Sequence, residues 1–139
     1  MSEDWLERMR SLLEAPSPAV LATYRRDGSV HVSPVWFRWG DGAFELVIAE
    51  GDVKLGHLRR DPRCTLVVFE TVRPFRGVKV QGEAELVPGD VTEARIEIAG
   101  RYLGAADGRR YAAARPPGVL VRIRADDPRV WDLTEMLPS

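Results

Sequence analysis

Along the chain the spacing of apolar positions changes several times. Trp5, Met9, Leu12 and Leu13 recur at helical spacing behind acidic residues, and Pro16 closes the run; this predicts an amphipathic helix within residues 1–16. From residue 18 the period drops towards two. Runs at 18–24, 29–38 and 43–49 predict three strands of an antiparallel meander, separated by the turn signals Asp27-Gly28 and Gly40-Asp41-Gly42. A short helix follows, with Asp52 as its cap, Val53, Leu55 and Leu58 as a narrow apolar stripe, and Pro62 as its stop. Two further strand-like runs occupy 63–70 and 75–88, and Gly77 and Gly82 in the second mark bends or close backbone approach. Residues 89–104 place Val91, Ala94, Ile98, Ala99 and Tyr102 on one side and predict a second long helix. Residues 105–118 read as a loop, and the alternation up to Arg124 predicts a last strand with one solvated face.

Roughly six strands in meander order, with helices inserted, are best accommodated by a small closed or partly split antiparallel barrel, because closure removes exposed edges. Side chains fill the interior of so small a barrel. A sizeable ligand must therefore sit on the outer wall, in a groove against a helix, or between subunits. At 139 residues with no repeat or linker, one domain over 1–139 is expected, with the barrel at 18–133. The net charge of −1, with cations dispersed among nearly equal numbers of carboxylates, lacks the field that a nucleic-acid partner needs. No apolar run approaches the ~18 residues of a membrane span, and the N-terminus is charged. The single cysteine, Cys64, lies in the apolar run RCTLVVF and reads as a buried, reduced thiol, so a cytoplasmic protein is expected.

Candidate chemistry is sparse. The two histidines, His31 on a strand and His57 on the short helix, lack the co-ligands of a metal site and read as surface or packing residues; no metal is expected. A nucleophile elbow, a Walker lysine loop and a dinucleotide glycine fingerprint are all missing, so any reaction here relies on a cofactor. Two stretches stand out. GDVKLGHLRRDP carries Lys54, His57, Arg59 and Arg60, with Arg63 just beyond, in a chain where eighteen of twenty basic residues are Arg. One reading is an anion site, the helix dipole and Lys54 acting together on a phosphate; the other is a solvated face whose cations pair with Glu50, Asp52 and Asp61. In VSPVWF, Pro34 interrupts a strand-like run. It implies an edge strand with Trp36 and Phe37 in the core, or a backbone row that meets something other than a strand, such as a flat polar heterocycle.

The ordered set LATYRRDGSVHVSPVWF, VKLGHLRRDPR, VKVQGEAELV and VRIRADDPRVWDL resembles the flavin-binding split-barrel family that includes pyridoxamine phosphate oxidases. It looks closest to the deazaflavin-dependent branch of oxidoreductases. The resemblance implies a homodimer of split barrels with cofactor sites in clefts between protomers. By position, Val32, Ser33, Pro34 and Val35 would lie along the ring system and offer backbone hydrogen bonds, with Val47, Ile48 and Ala49 as the neighbouring wall. Lys54 would hold the phosphate, with Arg60 as a second anion contact, and Gly77 and Trp131 would flank the cofactor from the other protomer.

Two positions that carry cations around the flavin phosphate in pyridoxamine phosphate oxidases hold Val32 and Val53 here. A charge-assisted contact contributes about 1.5 to 3 kcal/mol, so this pared-down set disfavours flavin mononucleotide (FMN) and points to coenzyme F420. The acidic tail of F420 would suit Arg59, Arg60 and Arg63. The implied activity is hydride transfer between reduced F420 and an electron-poor small-molecule acceptor. The alternatives are an FMN-dependent oxidase or reductase and a non-enzymatic carrier of a flavin, deazaflavin or haem-related molecule. No catalytic acid is assigned: Tyr102, Tyr111 and His31 have suitable chemistry, but each reads first as structural.

Overall fold

A computed structural model describes residues 4–138. Helix α1 (Asp4–Glu14) buries Met9, Leu12 and Leu13, the positions whose spacing predicts it. Strands β1 (Ala19–Tyr24) and β2 (Val30–Pro34) form a hairpin around Gly28, whose φ of 85° few other residues adopt. In the next hairpin, β3 (Arg38–Gly40) and β4 (Ala43–Ala49), both turn residues take positive φ, Asp41 at 53° and Gly42 at 73°, which matches the twist of the strands. Helix α2 (Val53–Arg60) leads to β5 (Arg63–Phe69), β6 (Gly77–Glu83) and β7 (Glu85–Val87). Helices α3 (Thr92–Leu103) and α4 (Ala105–Ala113) precede β8 (Gly118–Arg124) and β9 (Arg129–Trp131).

The strands make two antiparallel sheets, ordered β2-β1-β5-β6-β9 and β3-β4-β8-β7. Their inner faces enclose one apolar core in which Leu21, Phe37, Phe44, Val68, Val78 and Ile123 are inaccessible to solvent. This is the split barrel that the strand pattern predicts.

Several expectations give way. The run 29–38 is not one strand. β2 ends at Pro34, residues 35–37 cross between the sheets, and Phe37 turns inward against Phe44 at 5.6 Å. The run 75–88 divides at Ala84, whose N–H donates to Pro62 O (2.8 Å); β6 stays in the first sheet and β7 joins the second. The stretch 105–118, read as a loop, contains α4. It folds back on α3 through Gly104 (φ 88°), and Gly108 lies so close to α3 that a Cβ would sit 2.6 Å from Gly100 N. Among the described residues nine strands result rather than roughly six. Val53, expected in the apolar stripe of α2, is 60% exposed, and of the two readings of Gly82, a bend or a close approach, the open space beside it removes the second.

Candidate functional site

The site begins with two backbone edges. In the β1–β2 pair, Val35 N–H donates to Ala19 O (3.0 Å) and Arg25 N–H to Ser29 O (2.9 Å). Alternation of the antiparallel ladder then turns the backbone groups of Val32, and the Pro34 carbonyl, away from β1. Among the described residues no strand covers that side, because β2 is the edge of its sheet. Across the split, β3 pairs with β4 only as far as Glu45, so Leu46–Ala49 have β8 on one side and an open edge on the other.

Between these edges lies a cavity of ≈ 320 Å³. Pro34 comes from the end of β2, Val35 and Trp36 from the crossing, Leu46–Ala49 from β4, Asp52 and Lys54 from the start of α2, and Arg95, Tyr111 and Arg115 from α3, α4 and the segment beyond. Trp36 stacks on Tyr102 (5.1 Å, 11°) and meets Tyr111 at 5.2 Å. Three cations and one carboxylate line this cavity, in a protein whose net charge is −1.

Asp52 caps α2 by accepting from Lys54 N–H (3.1 Å), and its second oxygen accepts from Lys54 Nζ (2.6 Å). Burial acts to raise the Asp52 carboxyl, but the Lys54 contacts outweigh it and hold the pKa below the usual carboxylate value. The other cations of the basic segment are engaged elsewhere. Arg59 forms a two-bonded pair with Glu50 (2.7 and 3.0 Å), and Arg60 donates to the Tyr24 carbonyl. Arg63 pairs with Asp61, whose carboxyl is held down to about 2 chiefly by the Arg63 side-chain hydrogen bond. The pairings with Glu50, Asp52 and Asp61 that one reading of GDVKLGHLRRDP expects are all present, for Arg59, Lys54 and Arg63 in turn, and Lys54 also lines the cavity. His57 is tied to the Thr23 hydroxyl (Nδ1···Oγ1 3.0 Å) and packs edge-on to His31. Burial first, then His31 and Arg60, push its pKa below the ordinary value.

Of the residues singled out from sequence, Pro34, Val35, Val47, Ile48, Ala49 and Lys54 line the cavity together. Ser33 is not among the lining residues. Its Oγ is buried without a hydrogen-bond partner among the described residues, on the strand face it shares with Val35. Val32 is exposed on the opposite face, and Arg60 lies outside the cavity. Gly77 and Trp131 are a cross-strand pair of β6 and β9 away from this cavity. The indole covers Gly77 so closely that a Cβ there would lie 1.9 Å from the Trp131 ring. The Tyr102 hydroxyl is committed, donating to Ser17 O (2.9 Å) and accepting from Phe37 N–H (3.4 Å).

Sequence reasoning missed Trp36, Arg95 and Arg115 as cavity residues. Arg95 was hidden on the buried side of a helix, one position along from Ala94. Its guanidinium fits because residue 118 is glycine: a Cβ there would lie 2.3 Å from Arg95 Nη2. Arg95 donates to Pro116 O (2.7 Å), and burial, then the neighbouring Arg115 charge, lower its pKa from the ordinary arginine value.

A cavity at the split of a two-sheet barrel, entered by a lysine from a helix start, invites comparison with known proteins. The family model described as pyridoxamine 5'-phosphate oxidase matches residues 6–132. The chain belongs to that family. Among solved structures, a conserved hypothetical protein of Mycobacterium tuberculosis is similar at 28% identity and TM-score 0.78, covering 100% of this chain and 90% of that one. An F420 reductase is similar at 27% identity and TM-score 0.65, with 86% and 94% covered. An FAD-binding protein of Mesorhizobium loti shares the fold at 22% identity and TM-score 0.66, with 91% of each chain covered. No curated protein sequence matches the chain. Among the described residues no group of potential ligands could hold a metal, and no helix is long and apolar enough to cross a membrane.

Proposed function

We propose that this member of the family is an F420-dependent oxidoreductase working as a homodimer. The observation that carries the reading is the cavity at the split. It joins an edge strand with free backbone groups, an apolar β4 wall, and one lysine at a helix start. These residues fit a flat heterocycle with a phosphate-bearing side chain. Val32 and Pro34 offer the outward backbone groups, Val47–Ala49 the wall, and Lys54 a donor for the phosphate. Lys54 has three N–H donors and Asp52 takes one, so an anion can share the ammonium without breaking the pair. Gly77 and Trp131 would serve the partner's cavity, since they lie away from their own. When bound, reduced F420 supplies a hydride to an electron-poor acceptor. The chain's own part is to position both molecules and exclude water, and proximity in such a cleft accounts for much of the acceleration. The structural similarity to an F420 reductase supports the deazaflavin over FMN, as does the uncharged nature of Val32 and Val53.

The test is equilibrium binding of F420 and, separately, FMN, followed by fluorescence. Micromolar F420 binding, about −8 kcal/mol, with much weaker FMN binding is expected. Lys54→Ala should weaken F420 binding by roughly 1 to 3 kcal/mol without loss of thermal stability. Reversed preference would move the protein to an FMN-dependent oxidase or reductase. Tight binding with no turnover across a broad acceptor panel would make it a carrier.

A further inference from the structure

Arg95 is an unusual resident of a cavity wall. It is 9% exposed, and the structure gives it one hydrogen bond, to a neutral carbonyl, and no carboxylate partner among the described residues. A buried guanidinium is costly unless its charge is matched. A charge that acts on it is of the same sign: Arg115, itself without an ion-pair partner among the described residues, lines the same cavity with its guanidinium 5.3 Å from the Tyr111 ring centre. By contrast, Arg59 and Arg63 of the basic segment are already paired with carboxylates. Glycine at 118 leaves room for the Arg95 guanidinium against β4 and β8. The two cations without a carboxylate partner thus share the cavity with Trp36 and Tyr111, and Lys54, which has one, enters it from α2.

We propose that Arg95 and Arg115 form a receptor for a carboxylate carried on, or tethered to, a flat ring held against Trp36 and Tyr111. This deepens the proposed function, resting on it only in taking the cavity as the working site. It names the substrate class as acidic aromatic or heteroaromatic acceptors. The same chemistry has a second source, the acidic tail of the cofactor. Arginine suits either, because its planar fork matches a carboxylate and stacks on aromatic faces.

The test compares 2-naphthoate with its neutral isostere 2-naphthamide, titrated into the cofactor-free full chain and followed by calorimetry. The carboxylate should bind about tenfold or more tightly. Arg115→Ala, at an exposed position that leaves the fold intact, should remove most of that preference, and Arg95→Lys should reduce it. Lys54→Ala should leave it unchanged. Equal binding of the two probes, a preference that survives both arginine variants, or one that vanishes with Lys54 instead would overturn the proposal. Because these arms use no cofactor, they stand if F420 fails to bind. The source is read by repeating the titration with F420 bearing its tail and with a tail-free form. Naphthoate excluded by the tail-bearing form alone assigns the receptor to the tail, and naphthoate bound beside both assigns it to the acceptor. Exclusion by the tail-free form as well would also overturn the proposal, since the cofactor's uncharged core would then occupy that wall.

Discussion

Cys64 shows how burial alone decides reactivity. It is 3% exposed on the inner face of β5, and burial pushes its thiol up to about 12. The native protein should therefore resist iodoacetamide at pH 8, and alkylation should follow global unfolding in urea; rapid modification of the folded protein would contradict this placement. Since the thiol is raised in the folded state, its contribution to stability is complete below the free-thiol range and declines as pH rises from there towards 12, which thermal melts across alkaline pH would register. Cys64 was legible from sequence because an apolar run surrounds it. Arg95 was not, because sequence periodicity assigns an arginine to the solvated face unless the space left by a distant glycine is known.

Between elements, a few polar contacts set the geometry around the apolar packing. Helix α1 has no basic residue in its last turn, and its C-terminal carbonyls are served from α3. Arg101 donates to Leu13 O (3.1 Å), Glu14 O (3.3 Å) and Ala15 O (2.8 Å), a cation at the negative end of a helix dipole. Arg101→Ala should cost about 2 to 3 kcal/mol in urea unfolding, with part recovered by Arg101→Lys, because the charge interaction survives and the forked geometry does not. The hairpins and α2 were readable because Asp27-Gly28, Asp41-Gly42 and Asp52 are local signals. Helix α4 was not. Its AADGRRYAAA composition is helix-compatible, but Gly108 and the prolines after it read as breakers until Gly108 is seen packed on α3.

For the whole molecule, the split barrel followed from strand number and order. What the sequence left open was where strands stop, since Pro34 and Ala84 mark transfers between sheets, and these depend on tertiary pairing. The outer face of the five-stranded sheet exposes Val30 (48%) and Val32 (61%), and Trp131 lies open at the far strand. A homodimer would cover such positions and bring the Gly77–Trp131 pair towards a second cavity. Light scattering should accordingly give twice the 15.6 kDa chain mass at micromolar concentration; a monomer would leave each cavity with the walls of one chain alone. Pro34 has a last consequence. Its nitrogen sits on the outward row of β2 and carries no hydrogen, so a foreign strand attempting to extend the sheet would find the ladder broken at its final rung. A small heterocycle needs only a donor and an acceptor or two from that row. Under the proposed function the edge would thus discriminate by length, admitting a ring where the broken ladder disfavours a backbone, and the same proline would guard the groove against polymerisation.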